Sequence, residues 1–272
     1  NSLKSKPIII TETNLLENEN LSYFGIRNNE SHWIYNFSLP PLLVYSFLFE
    51  DSTYLNKWSK NLPTTKIGNN YLNFIASHDG IGMRPVEGYL NKDRLSKFFK
   101  RLKKNGGQLS YRKIQGSSKK VYEANITLFN AFQKTDYDKK GRYFLERYIS
   151  AHAIMIGFEG IPAIYFNSIF GTSNDEHKYI ISGNKRDLNR YKWNKNRLEN
   201  LLKNKTSKES IYYQRIMNLM FIKKQNKAFH PNAKRENFNL GKKIFCFKRT
   251  SLDKKQIIYN ITNLSSKYQI LN

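Results

Sequence analysis

The stretch NFIASHDGIGMRP, residues Asn73–Pro85, is the hinge of the sequence. An apolar, strand-like run ends in His78-Asp79 and passes at once into glycines. Asp-Gly is a strong turn dipeptide, so the simple reading is a turn. The sharper one is a buried strand that delivers two polar groups to a site at its C-terminal end. The segments on either side bear on the choice.

Upstream, PIIIT (Pro7–Thr11) is a short continuous apolar run rich in β-branched residues, the pattern of a strand buried on both faces. A polar loop, Glu12–Gly25, follows. HWIYNF (His32–Phe37) reads as a second strand and YLNFIAS (Tyr71–Ser77) as a third. Between them Pro40-Pro41 suit the first turn of a helix, and Leu42–Trp58 keeps apolar residues at helical spacing. Downstream, a basic segment with Gly and Ser runs from Gly80 to about Lys120. Connections of that length are usually functional or mobile. Helical patterns resume at Ala124–Phe132 and Gly141–Gly157. IPAIYF (Ile161–Phe166) is a fourth strand, followed by a polar loop to Asn194 and an amphipathic helix over Ile211–Lys224. The tail changes character: KKIFCFKR and QIIYNIT flank the turn-like SLDKK, a hairpin signal.

Strands alternating with helices indicate a parallel α/β sheet. Polar residues stand just past the C-terminal ends of three strands: Glu12, His78-Asp79 and Asn167. Barrels of the (β/α)8 type place their chemistry at that edge, and doubly wound sheets also use it. Four strands are too few to close an eight-stranded barrel.

The 272 residues suffice for one large domain or two smaller ones with a substantial core. Hydrophobic content of 39% with 14% aromatics excludes disorder. No apolar run reaches bilayer-spanning length, and no signal peptide is visible. Cys246 stands alone, which excludes an intrachain disulfide or a cysteine zinc site. A soluble, reducing, cytoplasmic setting is the expectation. The net charge of +25 points to nucleic acid, and Lys92–Lys120 holds its densest basic runs, KFFKRLKKNGG and SSKK. The joint richness in Lys, Asn, Ile and Tyr is instead the mix that AT-rich coding produces, with lysines on solvated faces and no specific partner. Nucleic-acid binding would require the Lys92–Lys120 basics to form one continuous face with interleaved aromatics.

Glu12 and Asp79 are two carboxylates at the ends of separate strands. They fit a general acid and a charge stabiliser, as in glycoside chemistry. They fit equally a local cap or ion pair at Glu12 and a turn start at Asp79. His32, His152, His177 and His230 show no ligand-like spacing and His78 ends a strand, so no metal site is expected. The chain has no G-x-S-x-G, P-loop or G-x-G-x-x-G motif. Arg190 is one arginine among many, and Tyr122 and Glu123 read by default as a strand or helix edge.

Taken together and in order, six segments resemble the sucrose phosphorylase group of the α-amylase superfamily. They are ITETN…NLSYFG (10–25), IYNFSLPPLL (34–43), NFIASHDGIGMRPVEG (73–88), YEANITLFNAF (122–132), AHAIMIGFEGIPAIYFNSIFGTSND (151–175) and GNKRDLNRYKW (183–193). The resemblance is strongest to the branch of glucosylglycerate and sucrose 6-phosphate phosphorylases. It implies an α/β fold: the C-terminal half of a (β/α)8 TIM barrel, strands five to eight, over residues 1–230. A long excursion at about 80–124 would follow the seventh strand, and residues 231–272 would begin an all-β C-terminal domain, clipped after Leu271.

The resemblance further implies a retaining double displacement on an α-glucoside, with phosphate as second substrate and α-glucose 1-phosphate as product. No cofactor or metal is implied; the partners are a small carbohydrate and phosphate, not nucleic acid or membrane. Glu12 matches the general acid/base, Asp79 the transition-state stabiliser, His78 and Arg190 the sugar ligands. Tyr122 and Glu123 match the acceptor and phosphate side. The family's nucleophilic aspartate belongs to the fourth barrel strand, so the nucleophile is expected to be absent from this chain. The chain is then expected to be a C-terminal fragment, inactive alone. A glycoside hydrolase or transglucosidase of the same superfamily shares the first chemical step and remains the alternative.

Overall fold

The computed structural model describes residues 7–25, 29–114 and 119–271. In chain order the strands are β1 (Ile10–Thr11), β2 (Trp33–Tyr35), β3 (Asn70–Asn73), β4 (Ile81–Gly82), β5 (Gln108–Lys113), β6 (Lys119–Asn125), β7 (Ile161–Pro162), β8 (Lys234–Phe238), β9 (Ile244–Thr250) and β10 (Ile257–Asn263). The helices are α1 (Glu17–Ser22), α2 (Leu39–Phe49), α3 (Thr53–Asn61), α4 (Lys92–Lys104), α5 (Leu128–Phe132), α6 (Phe144–Gly157), α7 (Phe166–Ile169), α8 (Glu176–Ser182), α9 (Lys195–Lys203) and α10 (Lys208–Gln225).

Three sheets result. The first is parallel throughout, in the order β1-β2-β3-β7, with Thr11 level with Ile34, Ile34 with Tyr71, and Leu72 with Ile161. Parallel neighbours need crossovers, and α2 with α3 supply the one between β2 and β3. Every residue from Leu39 to Leu48 is buried, so α2 is an interior helix, apolar all round rather than striped. Pro40 and Pro41 sit in its first turn, where a missing amide proton costs no helix bond. Glu50, in the left-handed region at φ 49°, separates α2 from α3. The single helical stretch expected over Leu42–Trp58 is therefore two helices.

Buried amides fasten the C-terminal ends of these strands. Asn36 donates from Nδ2 to Asn73 Oδ1 at 2.9 Å, and Asn73 donates from Nδ2 to the Glu159 carbonyl at 2.5 Å. Both asparagines are essentially inaccessible. Their pairing satisfies side chains that would each be costly to bury alone. The expected strand Tyr71–Ser77 ends at Asn73 because the Asn73 carbonyl is the last of β3 to be claimed by β7, accepting from Ala163 N at 2.7 Å. Phe74–Gly80 is then free to turn across the sheet edge. At the other side Ile8 and Ile9, leading into β1, and Ile10 within it are exposed, contrary to the burial on both faces expected of Pro7–Thr11, and among the described residues β1 pairs with β2 alone.

The excursion after β3 is folded, contrary to the expectation of a long loop. It holds α4 and a second, antiparallel sheet in the order β4-β6-β5. Lysine-rich composition hid both: α4 places Phe98 and Leu102 inside while its other faces carry charge. Gln115–Ser118, including part of the SSKK run, lie outside the described residues. The helix expected from Ala124 starts only at Leu128, since Ala124 and Asn125 complete β6. Short helices α1, α7 and α8 interrupt the stretches read as polar loops.

The tail hairpin is present as β9 and β10, paired from Ile257 with Thr250 to Asn263 with Ile244. A further strand, β8, was not legible in KRENF and adds to the other side of β9. This third sheet packs on the helical layer: Phe247 meets Phe158 edge-on at 5.6 Å, and Phe158 stacks on Trp58 at 5.4 Å. Arg249, fully buried, donates to the carbonyls of Gly157 and His230 at 2.7 Å and of Ala233 at 3.2 Å. Burial lowers its pKa to about 10, and the Glu159 carboxylate opposes that shift. The segment leading into β7 is thus held from the sheet behind it.

Candidate active site

The functional side chains stand where the parallel strands end. After β3, the Asp79 amide donates to Ser77 Oγ at 3.1 Å, which closes a tight local turn. Gly80 has a different duty from the one its Asp-Gly context suggests. A Cβ there would lie 2.4 Å from the Ala124 carbonyl oxygen and 2.8 Å from Glu123 Cγ. The glycine lets β6 approach the loop, and so brings Glu123 beside Asp79's surroundings.

Two arginines from the loop after β7 take hold of Asp79. Arg190 Nη2 lies 2.9 Å from Oδ1, and Arg186 Nη1 lies 3.0 Å from Oδ2. Arg190 also donates from Nε to the His78 carbonyl at 3.1 Å. Arg186 turns its other edge to Glu123, donating from Nε to Oε1 at 3.2 Å and from Nη2 to Oε2 at 2.9 Å. Such planar two-point contacts fix both orientation and charge. Glu123 is only 3% exposed, so its carboxylate depends on that partner. Burial alone would lower the pKa of Arg186, but the Glu123 hydrogen bond and the field of Glu123 and Asp79 raise it.

The loop that carries both arginines is itself held down. Lys185–Asn189 forms a 3₁₀ turn capped by Asn184, whose Oδ1 accepts from the Arg186 amide at 3.1 Å. Asn167, buried just past β7, donates from Nδ2 to the Tyr191 carbonyl at 3.0 Å. Tyr165 donates its hydroxyl to the Asn189 carbonyl at 2.8 Å. Burial raises the Tyr165 pKa, and Asp79's charge adds to the rise. Residues on either side of Arg190 are therefore pinned while its guanidinium projects to Asp79.

His78 is more open, with its side chain 60% exposed and Nε2 3.6 Å from Asp79 Oδ1. Tyr122 lies close enough to Arg186 to act on its charge, and its carbonyl accepts from Met83 N at 2.9 Å. Glu12 follows β1, level in register with Tyr35 and Leu72. With strands spaced about 4.8 Å apart, that sets it two strands and about 10 Å from the β3 backbone. It is exposed and makes no hydrogen bond or ion pair among the described residues. Its charge reaches Tyr35, whose pKa is raised first by burial and then by Glu12.

The structure thus brings His78, Asp79, Arg190, Tyr122 and Glu123 into one cluster and sets Glu12, without a partner among the described residues, past β1 on the same sheet edge. Sequence reasoning missed Arg186, the residue that joins Asp79 to Glu123. Its signal was the four-residue spacing of Arg186 and Arg190 in RDLNR. No group of three or more potential metal ligands occurs among the described residues. No helix there is long and apolar enough to cross a membrane.

No family model matches the chain. It is 29% identical over 265 residues to a glucosylglycerate phosphorylase of Escherichia coli (strain K12), covering 97% of this chain and 47% of that protein. It is 31% identical over 258 residues to a glucosylglycerate phosphorylase of Spirochaeta thermophila, covering 95% of this chain and 43% of the relative. Sucrose phosphorylases also match, with that of Agrobacterium vitis 26% identical over 206 residues. Among solved structures, sucrose 6F-phosphate phosphorylase from Thermoanaerobacter thermosaccharolyticum superimposes with a TM-score of 0.75 at 19% identity, covering 94% of this chain and 47% of that one. An α-amylase from H. orenii shares the fold more distantly, with a TM-score of 0.55 at 16% identity. The chain spans about half the length of the relatives it matches. By ordered sequence likeness and by fold, it is homologous to the glucosylglycerate and sucrose phosphorylases.

Proposed function

We propose that this chain supplies the acid/base and stabiliser side of a retaining α-glucoside phosphorylase, built on barrel strands five to eight. The observation that carries the reading is Asp79, held by Arg186 and Arg190 at the C-terminal edge of a parallel sheet that also presents Glu12. Glu12 is the general acid that protonates the departing oxygen, then the general base for the incoming phosphate. Asp79, oriented by Arg186 and Arg190, stabilises the oxocarbenium-like transition state without forming a bond to it. His78 and Arg190 hold the glucosyl hydroxyls. Tyr122 and Glu123 border the side from which acceptor and phosphate arrive.

A retaining displacement needs a nucleophile about 5 Å from the acid. Glu123 is engaged at both oxygens by Arg186, and Asp79 by two arginines. The resemblance to this family implies a nucleophilic aspartate on the fourth barrel strand, so we assign the nucleophile to polypeptide outside these residues. Likeness to glucosylglycerate phosphorylases over almost the whole chain favours a glycerate acceptor over fructose or its phosphate. No cofactor enters the reaction, and a cytoplasmic site of action fits substrates of this kind.

The test is release of α-glucose 1-phosphate from glucosylglycerate, sucrose and sucrose 6-phosphate in the presence of phosphate. The full in-frame gene product is expected to phosphorolyse glucosylglycerate, and the isolated 272-residue chain to phosphorolyse none. Turnover by the isolated chain would overturn the missing-nucleophile reading. Phosphate-independent release of glucose by the full product would replace phosphorolysis with hydrolysis.

A further inference from the structure

The excursion carries a second concavity, none of whose lining residues belongs to the Asp79 cluster. A groove of about 920 Å³ runs between α4 and the β5–β6 hairpin. Its floor is core: Met83, Leu90 and Leu109 are each at most 5% exposed. Its walls are apolar and open. Helix α4 turns Phe98 and Leu102 into the protein, but Leu95 and Phe99 face the groove half-buried. Opposite them stand Val121 and Tyr111, the latter 51% exposed. Leu95 and Phe99 pack in part against the core and turn the rest of this second apolar stripe of α4 to the groove.

Both rims are cationic. Lys92, Lys100 and Lys103 border the helix side and Lys119 the hairpin side, all exposed. None of these four pairs with a carboxylate among the described residues, although Lys97 on the next face does so with Asp93. The one acid lining the groove, Glu87, is already neutralised by Arg112 at 3.0 Å and Lys120 at 3.4 Å. The lysines therefore form a graded surface of positive charge along an apolar trough, not a set of internal ion pairs.

The spacing selects the ligand. Lys92 and Lys103 stand about 16 Å apart along the helix axis at 1.5 Å per residue. A ligand with a single anionic head would meet one end of that row and leave the rest unused. A flat bilayer would not reach the floor of a trough. Single-stranded nucleic acid needs a row of exposed rings, and here only Tyr111 offers one. What matches is an apolar stripe flanked on both sides by negative charge over three turns of helix. We infer that this groove receives an acidic amphipathic helix of a partner protein. The inference does not rest on the phosphorylase reading, and binding can be measured on the 272-residue chain itself.

The probe is a fluorescein-labelled synthetic 14-residue helix with Leu at heptad-type positions and Glu on both flanks. Its comparators are a peptide of the same composition in scrambled order, a thymidine oligonucleotide and vesicles containing anionic lipid. The expected result in fluorescence anisotropy is binding at least about tenfold tighter for the patterned peptide than for the scrambled one, a gap of about 1.4 kcal/mol. Lys100→Glu with Lys103→Glu, both at exposed positions, should abolish that gap while the circular dichroism spectrum and melting temperature stay unchanged. Tyr111→Ala should weaken the patterned peptide on the opposite wall. Equal affinity for both peptides would overturn the inference by showing a nonspecific polyanion surface. So would tighter, Lys100-dependent binding of the oligonucleotide or the vesicles.

Discussion

Arg186 does two jobs with one guanidinium. It orients Asp79 from one edge and compensates the buried Glu123 from the other. Removing it leaves Glu123 without its partner in a site 3% exposed. Breaking a buried pair usually costs 3–5 kcal/mol; because Arg186 is itself partly exposed, Arg186→Gln is expected to cost about 2 kcal/mol. The Glu123→Gln, Arg186→Gln double variant should recover most of that loss, since no buried charge is then left unpaired. Urea unfolding of the four proteins measures the coupling. Additive losses would show that the pair contributes nothing beyond its members. The same residues show what sequence reveals at this scale. Asp79 and His78 stood out because a strand pointed at them. Arg186 did not, because one arginine in a chain of 46 Lys and Arg carries no mark until a fold aims it.

Among the elements, α6 has the clearest response to pH. His152 lies inside it, fully buried against the Tyr148 ring at 4.7 Å, with Nδ1 2.9 Å from the Tyr148 carbonyl oxygen. Burial drives its pKa down from the ordinary 6.5 to about 4. The folded chain therefore keeps His152 neutral where the unfolded chain takes up a proton. Stability is full above about pH 6.5 and falls as the pH drops towards 4, by on the order of 3 kcal/mol at most. His152→Phe should flatten the slope in that window, read as the urea midpoint between pH 7 and pH 4.5. An unchanged slope would place the proton uptake elsewhere. The apolar runs at Pro7, His32, Tyr71 and Ile161 each yielded a strand within a few residues, but the burial on both faces expected for Pro7–Thr11 is absent, since Ile8, Ile9 and Ile10 are exposed. Helix α4 and the β5–β6 hairpin were not legible, because one buried face per element was outnumbered by lysines that face water. Strand β8 escaped for a related reason: it is half-buried and mixes Lys, Arg and Glu with a single Phe.

At the scale of the whole molecule, four parallel strands, an interior helix and a covering three-stranded sheet form a fold that matches about half of the sucrose 6F-phosphate phosphorylase structure. The order of strands and the edge that bears the polar groups could be read from alternation of apolar runs and helical stretches. The partner of each carboxylate and the sheet inside the excursion could not, because they depend on contacts between residues far apart in the chain. The central claim is that Glu12 is the proton donor of a site stabilised by Asp79. General acid catalysis matters in proportion to how badly the leaving group needs a proton, and contributes about 10²–10⁴-fold where it does. The direct measurement is the single-turnover rate of leaving-group release (glycerate or fluoride) by the Glu12→Gln full gene product, compared between glucosylglycerate and α-glucosyl fluoride. A loss of at least about 10²-fold on glucosylglycerate, with glucosylation by the fluoride nearly unchanged in a single turnover, is the expected outcome. Equal losses on both substrates, or none on either, would contradict it.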